Sequence, residues 1–171
     1  KPFACSRDDA AAVTREVKRC VKKIPVIVKL SPNVTSLMEI VKAVADAGAD
    51  GFCALNTLGP GMVIDLETRQ PILANKVGGV SGPAMKPIVV KAVHDIYKAT
   101  KLPIIGTGGI MTGEDALEVM MAGAVLVGIG TAVHYRGIDV FKKVTSEMAA
   151  WCEKHNVKKI SEVTGTLCYN Q

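Results

Sequence analysis

The chain has 171 residues, 49% of them hydrophobic and only 4% aromatic, with 16 glycines and a net charge of +5. That length suits one ordinary domain with a real core. The lack of an apolar run near the roughly 18 residues that span a bilayer, and of a signal peptide, predicts a cytoplasmic chain with no membrane partner. The lysines, among them Lys18, Lys22, Lys42, Lys98 and Lys142, are spread over helical faces. Without clustering among aromatics they argue against a nucleic-acid partner, while an acidic ligand stays compatible. Five cysteines, Cys5, Cys20, Cys53, Cys152 and Cys168, contain no C-x-x-C pair and indicate neither a disulfide framework nor a zinc site.

From Ser6 to Lys23, Ala10, Val13, Val17, Cys20 and Val21 fall on one helical face, and Ser6 followed by Asp8 and Asp9 supplies an N-terminal cap. A short apolar run from Ile24 to Leu30, bounded by Ser31-Pro32-Asn33, reads as a buried parallel strand. Thr35 or Ser36 starts a second helix with the stripe Leu37, Ile40, Val41, Val44 and Ala45. Ala49 to Thr57 is a second strand ending in two polar residues. A long insertion from Leu58 to Gly82 then encloses Met62 to Leu66, readable as one arm of a hairpin. Insertions of this length are usually functional or act as lids. Pro83 starts a third helix that buries Ile88, Val89, Ala92, Val93, Ile96 and Tyr97. A third strand follows from Leu102, a fourth helix runs to about Met121, and Ala124 to Thr131 is the fourth strand. The last helix carries Val140, Phe141, Val144, Met148, Trp151 and Cys152.

The third strand runs straight into Gly106-Thr107-Gly108-Gly109 and then opens a helix. Glycines here let backbone N–H groups close on a ligand, and a helix N-terminus favours an anion, so the turn predicts a phosphate grip. Met111 stands where a dinucleotide fingerprint needs its third glycine, which argues against that motif. A tight turn that binds nothing is the plain alternative.

A helix followed by four strand–helix units builds either a doubly wound sheet or a (β/α)8 barrel. The barrel is favoured because two glycine-rich strand ends resemble its phosphate-binding loops, and because Lys29, Asn56, Thr57, Gly108 and Thr131 all end strands. A whole barrel takes eight strands and about 250 residues. The expectation is therefore an α/β fold forming the C-terminal half of one barrel domain across residues 1–171, with a hairpin or loop inserted at about 58–82. Its open edges would need a complement or further copies of the chain.

Val26 to Val34, Asn56-Thr57, Asp65 to Asn75 with Gly78 to Ala84, Gly106 to Ile110 and Gly128 to Ala132 together resemble dihydroorotate dehydrogenase. The resemblance runs in order from about Val13 to Gly165, and the Gly-Gly-Val-Ser-Gly-Pro stretch looks most like the cytosolic, heteromeric, NAD-linked branch. It implies an FMN-containing barrel that oxidises dihydroorotate to orotate in pyrimidine biosynthesis. A base takes a proton from substrate C5 while hydride leaves C6 for the flavin. At matching positions it implies that Lys29, Leu55, Gly82, Gly108, Gly109, Gly130 and Thr131 bind FMN, and that Asn56 and Thr57 hold the substrate. From the residues alone, Lys29 could equally snorkel from a strand end, and Asn56 could simply form a turn.

The same resemblance places the catalytic base, a cysteine in this branch, upstream of Lys1, so no catalytic residue is assigned here. Cys5 is followed by Ser6-Arg7-Asp8 and lacks the family's Pro-Asn. An N-terminal half barrel, a homo-oligomer and a partner subunit with FAD and an iron–sulfur cluster are further implications. His94, His134 and His155 match no family site and are expected on helix or loop surface. The pyrimidine-reducing domain of dihydropyrimidine dehydrogenase shares two of these motifs and remains an alternative, as does a non-catalytic fragment.

Overall fold

A computed structural model of the chain describes residues 3–169. Helix α1 (Arg7–Cys20) opens under the expected cap, with Ser6 Oγ accepting the Asp9 N–H at 3.4 Å and Asp8 and Asp9 in the first turn. Its seat is not the valine face. Ala10, Ala11 and Thr14 are buried, and the Thr14 hydroxyl donates to the Ala10 carbonyl, whereas Val13 and Val17 stay 44% and 39% exposed. Small residues let α1 lie close on its neighbour, and the valines instead line an apolar groove with Phe3, Val26 and Ile27.

Strand β1 (Ile27–Lys29) is followed by α2 (Leu37–Asp46), β2 (Gly51–Ala54) and then two short antiparallel pairs. The outer pair joins β3 (Leu58–Gly61) to β6 (Gly78–Val80), and the inner pair joins β4 (Ile64–Asp65) to β5 (Gln70–Pro71). Helix α3 (Lys86–Ala99), β7 (Ile104–Thr107), α4 (Gly113–Met121), β8 (Leu126–Gly128), α5 (Ala132–Arg136) and α6 (Val140–Lys154) complete the order. No helix among the described residues is long and apolar enough to cross a membrane.

The four longer-range strands form one all-parallel sheet in the order β1-β2-β7-β8. Register partners in a parallel ladder share a face, and the two faces differ sharply. Phe52 pairs with Ile104, and Ala54 with Gly106, on the side where Val41 and Val44 of α2, Val89 and Val93 of α3, and Ala116 and Val119 of α4 join one buried cluster. The opposite face carries the row Lys29, Cys53, Ile105 and Leu126, of which Leu126 is 61% exposed. The sheet is therefore covered by helices on one face only, and β1 and β8 are its edges.

Two expectations about side chains need correction. His94, expected at the surface, is buried in α3, with its Nε2 2.6 Å from the Tyr169 hydroxyl. Tyr169 packs against the helix there, a contact 75 positions apart that no local pattern announces. The strand expected from Ile24 to Leu30 is only three residues long, because Ile24 is exposed and Pro25 has no N–H to donate to a ladder.

Gly106 shows how tightly the covered face is packed. A Cβ there would overlap the Val119 side chain and stand 3.1 Å from the Ala124 Cβ. Gly106→Ala is expected to destabilise the fold by about 1–3 kcal/mol. The check is a lower urea midpoint with an unchanged slope.

Candidate functional site

The C-terminal ends of the four strands converge on one cleft lined by Lys29, Leu55 to Thr57, Ser81, Gly82, Met85, Thr107 to Met111, Gly130 and Thr131. Its volume is about 140 Å³, short of the roughly 300–1,000 Å³ that ligand pockets enclose. A larger groove of about 410 Å³ lies between α1 and α2, but it is lined by opposed charges such as Arg7, Asp8, Lys42 and Asp46 and lies away from the strand ends. The structure thus brings together all nine residues that the sequence singled out.

Backbone bonds place the polar pair at the end of β2. Leu55 N–H donates to Thr107 O at 2.9 Å and Asn56 N–H to Leu30 O at 2.8 Å, which ties the segment to both neighbouring strands. Asn56 Oδ1 accepts the Thr57 N–H at 2.8 Å, and among the described residues its amide nitrogen donates to no protein acceptor. Asn33 braces this turn from the side. Its Nδ2 donates to Thr57 O at 3.2 Å, and its Oδ1 accepts the Gly59 N–H at 2.9 Å. The base of the outer hairpin rests on Thr57, since a Cβ at Gly79 would overlap the Thr57 hydroxyl and Cβ. The peptide bond between Ala54 and Leu55 is cis, a feature with no signal in the sequence.

Three glycine-bearing loops form the other side of the cleft. Gly82, Gly108 and Gly109 have φ of +86°, +125° and +77°, a region that side chains rarely adopt. A Cβ at Gly109 would overlap the Lys86 backbone nitrogen, whereas one at Gly130 would meet nothing within 4 Å. None of the backbone N–H groups of Gly108, Gly109, Gly130 and Thr131 donates to a protein acceptor among the described residues. Thr131 Oγ1 lies 3.0 Å from Ser81 Oγ and joins the first loop to the third.

The head of α4 does not offer the free N–H groups expected of it. Thr112 and Asp115 form a reciprocal capping box, Asp115 Oδ2 accepts the Met111 and Thr112 N–H groups at 2.9 Å each, and Glu147 of α6 accepts the Gly113 N–H at 2.6 Å. The unspent N–H donors therefore lie in the loops and not at the head of α4. Lys86 Nζ bridges Asp115 and Glu118 at 2.8 Å each, which raises the lysine's pKa. Burial would push the Asp115 carboxyl up, but the Lys86 ammonium and the Met111 and Thr112 N–H groups outweigh it and hold the carboxyl below its ordinary value. Arg136 of α5 pairs with Glu147 and donates to Met111 O at 2.6 Å. The guanidinium, opposed by burial and helped by the Gly113 N–H, lowers the Glu147 pKa.

The sequence assigned no site role to Asn33, Lys86, Asp115, Arg136 or Glu147. Thr112 three residues before Asp115 is a readable cap signal; the contacts across 24 to 34 positions have none. Cys5 is not among the cleft residues, and no group of three or more His, Cys, Asp or Glu placed to hold a metal occurs among the described residues.

Residues 3–151, which include every strand and loop of the cleft, match the model of the family described as dihydroorotate dehydrogenase. The chain belongs to the dihydroorotate dehydrogenase family. It is 53% identical over 153 residues to the catalytic subunit of dihydroorotate dehydrogenase B (NAD(+)) from Methanocaldococcus jannaschii, covering 90% of this chain and 49% of that protein. The equivalent subunit of Geobacter sp. strain M21 is 49% identical, over 96% of this chain and 53% of its own length. That of Bacillus thuringiensis is 47% identical, over 95% and 52%. The chain thus spans about half the length of the curated relatives it matches.

Because Asp115 has a lower pKa folded than unfolded, its stabilisation is complete above the unfolded value, about 3.9 for an ordinary Asp. It is lost as pH falls through the still lower folded value. Asp115→Ala is expected to cost about 1–2 kcal/mol at neutral pH. It should also lessen the parent's loss of stability in that acid window by the share Asp115 contributes, as followed by denaturation at stepped pH.

Proposed function

We propose that this chain forms the flavin- and substrate-facing wall of a dihydroorotate dehydrogenase, oxidising dihydroorotate to orotate in pyrimidine biosynthesis with FMN as cofactor. One observation supports the reading above others. A single cleft gathers a cation at Lys29, an amide and a hydroxyl at Asn56 and Thr57, and unspent backbone N–H groups at Gly108, Gly109, Gly130 and Thr131. These residues fit FMN: the loop donors suit a phosphate, the open space at Gly130 admits it, and no carboxylate among the described residues pairs with Lys29.

Bound FMN would supply the two-electron acceptor for the hydride that leaves the substrate. Lys29 places positive charge at the strand end, where it stabilises negative charge developing beside it, the more so once the assembled site excludes water. Asn56 Nδ2 and the Thr57 hydroxyl offer hydrogen bonds to the carbonyl and carboxylate oxygens of an orotate-like ligand. Leu55, 3% exposed, and Gly82 close the wall between them. No carboxylate, imidazole or thiol lines the cleft, so the acceptor for the substrate proton comes from residues outside this wall.

The bare sheet face and the two free edges support completion by a second set of strands, the N-terminal half of a (β/α)8 barrel, since all-parallel sheets are stable with both faces covered. The relatives are named as catalytic subunits of an NAD-linked enzyme. By that kinship the chain works in the cytoplasm, in a homo-oligomer joined to an electron-transfer subunit with FAD and an iron–sulfur cluster.

Anaerobic mixing of the assembled flavoprotein with dihydroorotate is expected to bleach the visible flavin absorbance, and FMN that stays oxidised would overturn the reading. Lys29→Ala is expected to slow that reduction by about 100-fold at saturating substrate. Asn56→Ala is expected to raise KM by roughly tenfold, the order of one lost hydrogen bond.

A further inference from the structure

Glycine loops carry the unspent donors, and glycine has no side chain with which to anchor itself. Gly130 is the extreme case, with nothing packed where its Cβ would lie. Two loops that grip one anion must nevertheless keep a fixed separation, because donors displaced by more than about half an ångström lose their aim. Something outside the cleft must hold them.

One arginine and one glutamate connect the two loops from behind. Val133 and His134 N–H groups donate to Gly130 O and Thr131 O at 3.0 Å each, which fuses the second loop to α5. Arg136 ends that helix. Its guanidinium donates to Met111 O at 2.6 Å, two residues beyond Gly109, and forms a forked pair with Glu147. Glu147 in turn accepts the Gly113 N–H at 2.6 Å. A planar fork fixes distance and angle together, which a lysine cannot do. Both side chains are partly shielded, at 26% and 36% exposure, and neither lines the cleft. The parallel brace from Lys86 is shared between Asp115 and Glu118, so losing one partner leaves the other, whereas Arg136 has one carboxylate.

We infer that Arg136 and Glu147 are positioning residues that set the spacing of the Gly108-Gly109 and Gly130-Thr131 loops and so the affinity of this site for a phosphate-bearing ligand. This rests on the flavin reading given above. The brace acts on the phosphate end alone, so it discriminates FMN from riboflavin, which lacks the phosphate.

The test is titration of the assembled, flavin-stripped protein with FMN and with riboflavin, followed by quenching of flavin fluorescence. Arg136→Met is expected to weaken FMN by about tenfold or more and to leave riboflavin within about twofold. Glu147→Ala should show the same ratio, and the double variant should add little, as coupled residues do. Arg136→Lys, which keeps the charge without the fork, should fall with Arg136→Met, and it provides the comparison if the methionine variant does not fold. Equal losses for both flavins, or unchanged FMN affinity, would overturn the inference alone. Parent protein that binds neither flavin would overturn the functional reading, and this inference with it.

Discussion

Everything in this molecule depends on a parallel sheet that buries one face and leaves the other bare. Phe52 and Ile104 pack with Val41, Val93 and Val119 on the helix side, and that burial fixes the strand register without help from the opposite face. Once the register is fixed, Lys29, Cys53 and Ile105 share a row on the bare face, and the strand ends deliver their loops to one cleft. Gly106 allows α4 to lie close enough for this, because its Val119 occupies the space a side chain would take, with Val93 of α3 in ordinary contact beside it.

A division of labour follows between groups that face the cleft and groups that hold it. Facing groups are small or neutral apart from Lys29, and the N–H donors of Gly108, Gly109, Gly130 and Thr131 are unspent among the described residues. Holding groups are ionic and stand behind the loops: Lys86 with Asp115 and Glu118, and Arg136 with Glu147. At the helix head expected to take an anion, the Met111, Thr112 and Gly113 N–H groups are taken by the protein's own carboxylates. Capping α4 internally fixes the loop before it, so the donors left over are held in place rather than fraying with the helix end.

How much of this was legible in the sequence depends on the range of the interaction. Helices α2, α3 and α4 could be read because apolar spacing and caps are local, and the cleft residues because polar or glycine endings on apolar strands stand out. The family resemblance rested on the same short motifs. Contacts between distant positions were not legible. Val13 and Val17 carry the right period for a buried face, yet α1 sits on Ala10, Ala11 and Thr14, since which face is covered is decided by the neighbouring helix. His94 is buried by a tyrosine 75 residues on, and Arg136 finds Glu147 only after two helices have folded back. Hydrophobic periodicity carries no information about any of these.

Gly79 and Thr57 sit at the meeting point of the hairpin and the cleft, twenty-two positions apart in sequence but without room for one methyl group between them. Their sizes are therefore a joint property. An alanine at position 79 would overlap the Cβ of Thr57 as well as its hydroxyl, so this backbone accepts it only with glycine at 57. The two positions can therefore change only together, whereas the hairpin's tip, where Leu66 is 85% exposed, is free of that constraint.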